Sequence, residues 1–205
     1  MTDTNVILSN VTQKYLAQYD TILQDMIDDM KSGLKASAPS RSISLYFIET
    51  MIPHHKAAIE MCENLLQYTT DLRLQHMANN IIRTQNKGIQ EMKEIEERCE
   101  QYTSNPVAID TYVKNYLLIA NEMFIKMKNA PRLNNINCNF ILEMIPHHEG
   151  AVKMSKNVMQ YPICGELRII VDDIIKEQSR GIVELQNLKR FYGCAGNLDK
   201  VLRIY

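Results

Sequence analysis

Apolar side chains recur three and four residues apart along almost the whole chain, which predicts amphipathic helices and no convincing strand. Val6, Leu8, Val11, Tyr15, Leu16, Ile22, Leu23, Met26, Ile27 and Met30 mark a first helix from about Asn5 to Ser32. Gly33 is its expected stop, and 33–41 reads as a linker. A second helix is predicted from about Ser42 to Tyr68. Pro53 lies in its middle, deletes one backbone bond and clashes with the Glu49 carbonyl, so a kink or restart is expected there. Thr70 or Asp71 caps a third helix that runs to about Glu100. Its buried stripe is Leu74, Ala78, Ile81, Ile82, Gln85, Ile89, Met92 and Ile95. Asn105-Pro106, cap then proline, opens a fourth helix that ends near Lys128. After a turn-rich stretch over 130–137, a fifth helix spans about Asn139–Gln160 and a sixth about Glu166–Tyr192. Residues 193–196 end it, and 197–205 form a short tail.

The same pattern is written twice. Met51-Ile52-Pro53-His54-His55 returns as Met144-Ile145-Pro146-His147-His148, and these two strings hold four of the five histidines. The fifth, His76, has Ile169 as its counterpart. Phe47–Glu91 aligns without a gap on Phe140–Glu184, with about 19 of the 45 positions identical. A weaker upstream match pairs Tyr15 with Tyr112, Met26 with Met123 and Met30 with Met127. A duplication of this kind governs the fold expectation. The expected architecture is all-α, six helices in two pseudo-symmetric three-helix repeats, 1–102 and 103–205, packed as one compact domain. Helices two, three, five and six would form a four-helix core flanked by helices one and four; the alternative is two separate three-helix lobes.

Composition narrows the function by exclusion. The formal net charge of −1 carries no nucleic-acid footprint. No apolar run approaches the roughly 20 residues of a membrane span. The polar N-terminus does not read as a signal peptide, which favours the cytoplasm; a periplasmic or extracellular setting is the alternative if a leader was removed. Five cysteines with no Cys-x-x-Cys and no matched positions argue against a disulfide framework and for buried or reduced thiols.

Methionine is the unusual residue. Eight of the eleven internal methionines fall into four matched pairs: Met26/Met123, Met30/Met127, Met51/Met144 and Met61/Met154. A methionine that merely fills a gap exchanges with leucine, as Met92 does with Leu185. On a helix of about 100° per residue, Met51, His54, His55, Ala58 and Met61 share one broad face. Thioether and imidazole together select copper(I), with other transition metals as alternatives. Imidazole must be neutral to ligate, so affinity is expected to fall below a pKa of about 6.5. Adjacent histidines point about 100° apart, so one would ligate while its neighbour serves another site or an outer contact. Gln85 and Gln178, polar on apolar stripes, are candidates for that outer shell. Gly88 and Gly181 lie mid-helix, where close helix approach would justify them. Core packing explains the same residues without a metal. Glu-x-x-His, His-Glu-x-x-His and glycine-rich phosphate loops are all absent.

The string Phe-x-x-x-Met-Ile-Pro-His-His-x-x-Ala-[Ile/Val]-x-Met, followed by Gln-x-x-x-Ile-x-Glu, resembles the domain-of-unknown-function family 305. It stands at Phe47–Met61 with Gln85–Glu91, and again at Phe140–Met154 with Gln178–Glu184. The resemblance implies a ferritin-like helical bundle and copper binding or sequestration, since the family includes bacterial periplasmic copper-binding proteins. It carries Met51, His54, His55 and Met61, with Met144, His147, His148 and Met154, as candidate ligands. Met26/Met30 and Met123/Met127 look like the family's N-terminal methionine pair. Lys56 and Glu149-Gly150 depart from its usual residues after His-His, and Lys56 puts a positive charge near the first site. The expected function is non-catalytic metal binding: copper(I) storage, buffering or delivery. The alternatives are a metal-dependent or redox enzyme using the same residues, and a helical interaction module whose His-His pairs are structural. The partner is the metal ion, and a protein partner is undetermined.

Overall fold

A computed structural model describes residues 7–194. It holds six helices: α1 Asn10–Ala36, α2 Ile43–Leu66, α3 Leu72–Glu100, α4 Pro106–Lys128, α5 Ile136–Val158 and α6 Gly165–Tyr192. Five of them begin on a side-chain cap, in which Ser9, Ser42, Asp71, Asn105 or Asn135 accepts a backbone N–H of the first turn. Each cap contributes about 1 kcal/mol. The predicted start of the first helix at Asn5 and the tail over 197–205 lie outside the described residues. Among the described residues no helix is long and apolar enough to cross a membrane.

Helices α2 and α5 are the centre. Helix α2 packs on α1, α3 and α5; α5 packs on α4, α6 and α2; α3 and α6 close the ring. A helix contacted on three sides is apolar nearly all round, and both central helices are buried over most of their length. Asn64 and Asn157, at matched positions, fix the outer helices. The Asn64 amide donates to the Tyr15 carbonyl of α1 at 3.0 Å, and the Asn157 amide to the Tyr112 carbonyl of α4 at 3.3 Å.

The structure corrects three expectations. Gly33 is not a stop: α1 continues to Ala36, and Gly33 is buried where α1 crosses α2. A Cβ at this position would run into the Glu49 carbonyl. Glu49 lies four residues before Pro53, so its carbonyl has lost its normal helical donor. The helix presses its smallest residue against the backbone group that the proline leaves exposed. Second, of the kink or restart expected at the prolines, the restart is excluded: α2 runs through Pro53 and α5 through Pro146 as single helices.

Third, four cysteines are bridged. Cys99–Cys164 ties the end of α3 to the start of α6, and Cys138–Cys194 ties the start of α5 to the end of α6. Cys62 is the free, buried thiol. The partners lie 65 and 56 residues apart and join unmatched positions, so neither spacing nor repeat logic exposes them. Loops of that length make each bridge worth about 4 kcal/mol in the chain-entropy account.

Gly33→Ala tests the α1–α2 crossing. Alanine would add about 1 kcal/mol of helix propensity in an open helix. Here overpacking should reverse the sign and cost about 1–3 kcal/mol. Urea unfolding of the variant reads this, and a stabilised G33A would show that the two backbones do not meet.

Candidate metal centre

The two matched pentapeptides meet where α2 crosses α5. His54 and His147 lie face to face, ring centroids 3.7 Å apart and planes inclined by 32°. Both rings are fully buried. His54 Nε2 sits 3.2 Å from the His147 carbonyl, and His147 Nε2 sits 3.1 Å from the His54 carbonyl. A carbonyl only accepts, so each Nε2 carries the proton and donates. Each Nδ1 is therefore a lone pair, and in both rings it is buried without a partner. Spending one ring N–H on a carbonyl while keeping the other nitrogen as a base is the usual preparation of a metal-ligating histidine.

His55 and His148 point away from this centre, 6.1 Å and 5.9 Å from their chain neighbours between ring centroids. His55 lies on α3 at Gly88, where a Cβ would come within 3.0 Å of its ring. His148 lies on α6 at Gly181, where a Cβ would come within 2.6 Å of Cδ2 and 2.8 Å of Nε2. The mid-helix glycines thus make room for imidazoles, not for the close helix approach expected of them. Gln85 and Gln178 are buried nearby on the same helices, each with its Oε1 unpartnered.

All eight matched methionines, Met26, Met30, Met51, Met61, Met123, Met127, Met144 and Met154, are at most 3% exposed. Met51 and Met61 ride on α2 with the first histidine pair, and Met144 and Met154 on α5 with the second. Met26 and Met30 come from α1, Met123 and Met127 from α4. The Met123 thioether packs against Gly150, two residues beyond His148; a Cβ there would lie 2.7 Å from its Cγ. Among the described residues, no three His, Cys, Asp or Glu side chains gather where one ion could be held. A metal at this crossing would therefore draw on thioethers.

Burial sets the protonation of the site. It is the largest cause holding all four imidazoles below the ordinary value: His55 is pushed down to about 3, His148 to about 4, and His54 and His147 well below 6.5. For His54 and His147 the neighbouring rings push further down. The expectation that ligation fails below about 6.5 is corrected accordingly, because in the fold these rings stay neutral well into acid.

Glu143 was not foreseen. It precedes Met144, is buried, and accepts a 2.6 Å hydrogen bond from the Tyr15 hydroxyl of α1. Burial pushes its carboxyl up to about 8, against the pull of that bond. Its matched position is Thr50, so the repeat carried no signal of it; the only cue was one acid in an otherwise apolar run. Lys56 is exposed. Partial burial, and after it the charges of Asp25, Glu63 and Asp29, raise the nearby Glu60 carboxyl, so the local field there is not simply repulsive to a cation.

The fold and site describe an all-α bundle with buried, neutral imidazoles at its central crossing and buried methionines on the helices around it. The chain belongs to the family described as Domain of unknown function (DUF305), which matches over residues 17–96 and 45–189. It is similar to solved structures of CopM. One, in the Ag-bound form obtained by soaking, is 32% identical, with 71% of this chain and 93% of that chain covered at a TM-score of 0.52. CopM in the Cu(I)-bound form is 31% identical over 71% and 94%, at 0.53; in the Cu(II)-bound form it is 29% identical over 72% and 95%, at 0.54. The curated proteins contain no match to the sequence.

The directions of these shifts predict how the stability of the metal-free protein depends on pH. A histidine with a depressed folded pKa stays neutral while the unfolded chain takes up a proton below about 6.5, so stability falls as pH drops from there toward 4. Each such proton steepens the slope by about 1.4 kcal/mol per pH unit. Glu143 runs the other way: its folded carboxyl keeps a proton that the unfolded chain releases above about 4.3, so stability falls as pH rises toward 8. Glu96, raised to about 7, and Glu60, also raised, run with Glu143, each chiefly through partial burial; the four fully buried rings outweigh them and leave the acid side steeper. Urea unfolding between pH 8 and 4 should show this, and a flat profile from pH 6.5 to 4.5 would mean the rings are not buried neutral.

Proposed function

We propose that the chain binds copper(I) through the imidazoles and thioethers at the α2–α5 crossing, and that it stores, buffers or hands on the ion without catalysing a reaction. The observation that carries the reading is the unpartnered Nδ1 lone pair on two fully buried, mutually bonded histidines. A buried acceptor with no donor costs roughly 1–3 kcal/mol, and a soft cation would remove that cost. His54, His55, His147 and His148 would supply nitrogen, and Met51, Met61, Met144 and Met154 sulfur. Met26, Met30, Met123 and Met127 would add sulfur from the outer helices. The CopM structures, obtained with Cu(I), Cu(II) and Ag, support copper as the metal. Two disulfides support work outside the reducing cytosol. The two matched segments would act together, since the central ring pair takes one histidine from each.

A second reading has its own support. The reciprocal His54–His147 bonds also make a clasp between α2 and α5, and a purely structural pair needs no ion. Anaerobic titration of copper(I) against a competing chelator separates the two. Tight uptake near two equivalents is expected, and it should persist to about pH 5 because the rings stay neutral there. Replacing Met51, Met61, Met144 and Met154 by leucine conserves volume and should cost under about 1.5 kcal/mol of stability per site while removing the thioethers. The leucine variant is expected to keep its helical content and lose at least tenfold in affinity. Wild-type protein that competes no better than this variant would leave only the clasp.

A further inference from the structure

The four histidines have unequal access to solvent. His54 and His147 are shut between α2 and α5, whereas His55 lines a cleft of about 260 Å³ between α3 and α6. His148 lines a smaller cavity of about 30 Å³ on the same interface. Asn80, Thr84, Gln85, Glu177, Gln178 and Arg180 line both spaces, so the two adjoin. A water needs roughly 10–15 Å³ of such space, so both admit it.

Gln85 and Gln178 line both spaces alongside the imidazoles. Each is 3% exposed with its amide oxygen unpartnered. A buried acceptor left open is costly and calls for a visiting partner. Charges at the cleft are offset in pairs, Lys87 with Glu91 at 3.2 Å and Arg180 with Glu177 at 3.0 Å. No excess of positive charge bars a cation, and no excess of negative charge would trap one.

We propose that the α3–α6 cleft is the port through which copper(I) reaches the buried donors, with the Gln85 and Gln178 amide oxygens replacing water on the way to His55 and His148. The inference rests on the copper reading above. Amide oxygen is a hard, weak partner for copper(I), so it relays without holding; imidazole and thioether lie behind it in order of rising softness. The rival route is the α4–α5 seam, where a space of about 10 Å³ reaches Met123. There Lys126 and Lys153 converge on Glu122 at 2.9 Å and 2.7 Å, and Lys126 also reaches Glu149 at 3.5 Å. Its two lysines are offset by two glutamates, so charge does not separate the routes; a space of about 10 Å³ against about 260 Å³ makes the seam the poorer way in.

Anaerobic stopped-flow transfer of copper(I) from a bicinchoninate complex tests the port. Thr84→Trp plugs the cleft, and the paired change Gln85→Leu with Gln178→Leu removes the relay oxygens at similar volume. Both are expected to slow loading at least tenfold while stoichiometry and equilibrium affinity stay at wild-type values. Loading of the folded leucine pair at the wild-type rate overturns the port, as does a T84W protein that fills as fast as wild type. Acceleration confined to Lys153→Ala would assign the route to the α4–α5 seam instead. Wild-type protein that takes up no copper(I) overturns the metal reading, and the port with it; normal affinity at unchanged rate overturns the port alone.

Discussion

Everything in this bundle is arranged around neutral imidazole kept out of water. A charged ring could not sit at the α2–α5 crossing, because burial in a low-dielectric interior penalises the ion far more than the neutral base. The fold accepts the neutral form and gives His54 and His147 a carbonyl each, taken from the opposing helix. That exchange brings the two helices close enough for the rings to stack at 3.7 Å. Only small residues fit one turn further on, and both are alanine, Ala58 and Ala151, fully buried. The second ring of each pair must then leave the centre. It finds room on α3 and α6 only where the backbone carries no Cβ, at Gly88 and Gly181. A mid-helix glycine costs about 1 kcal/mol, so these two positions sacrifice helix stability to house a ring.

The outer helices follow from the inner ones. Helices α1 and α4 cover the faces of α2 and α5 that α3, α6 and the crossing leave open, and they carry buried methionines at i and i+4. Asn64 and Asn157 fix their height by bonding to a carbonyl of the covering helix. Gly33 fixes the depth of α1 against the Glu49 carbonyl. Tyr19 of α1 donates to the Met127 carbonyl of α4 at 3.0 Å, so the two outer helices also hold each other. The buried methionines of α1 and α4 are thus carried by helices whose positions are set by backbone bonds.

Much of this was written in the periodicity. Asp71 and Asn105-Pro106 cap the helices they were expected to cap, and the apolar stripe of α3 is buried as read. The histidines declared themselves because a pentapeptide with two rings and a proline occurs twice. What stayed hidden were facts that belong to pairs of distant residues. Nothing local tells Gly33 from a helix stop, since glycine serves both a left-handed cap and a tight crossing. The bridges Cys99–Cys164 and Cys138–Cys194 join ends of helices that only the packed bundle brings together. Glu143 was masked by the repeat itself: comparison with Thr50 directs attention to what the halves share, and a buried acid present in one alone is averaged away.

That difference bears on how the two halves divide their work. On one side of the crossing Tyr15 donates to Glu143, and the acid holds its proton because burial outweighs the hydrogen bond. On the other side the matched tyrosine, Tyr112, has a buried hydroxyl with no partner, and Thr50 bonds its own helix through the Tyr46 carbonyl at 2.7 Å. The surfaces above diverge as well. Asp25, Glu63 and Asp29 act on the Glu60 carboxyl on the α1–α2 side, while Lys126 and Lys153 both reach Glu122 on the α4–α5 side. The central ring pair takes one histidine from each half, and His55 and His148 both line spaces built by α3 and α6 together, so the halves meet at all four rings although their flanks differ.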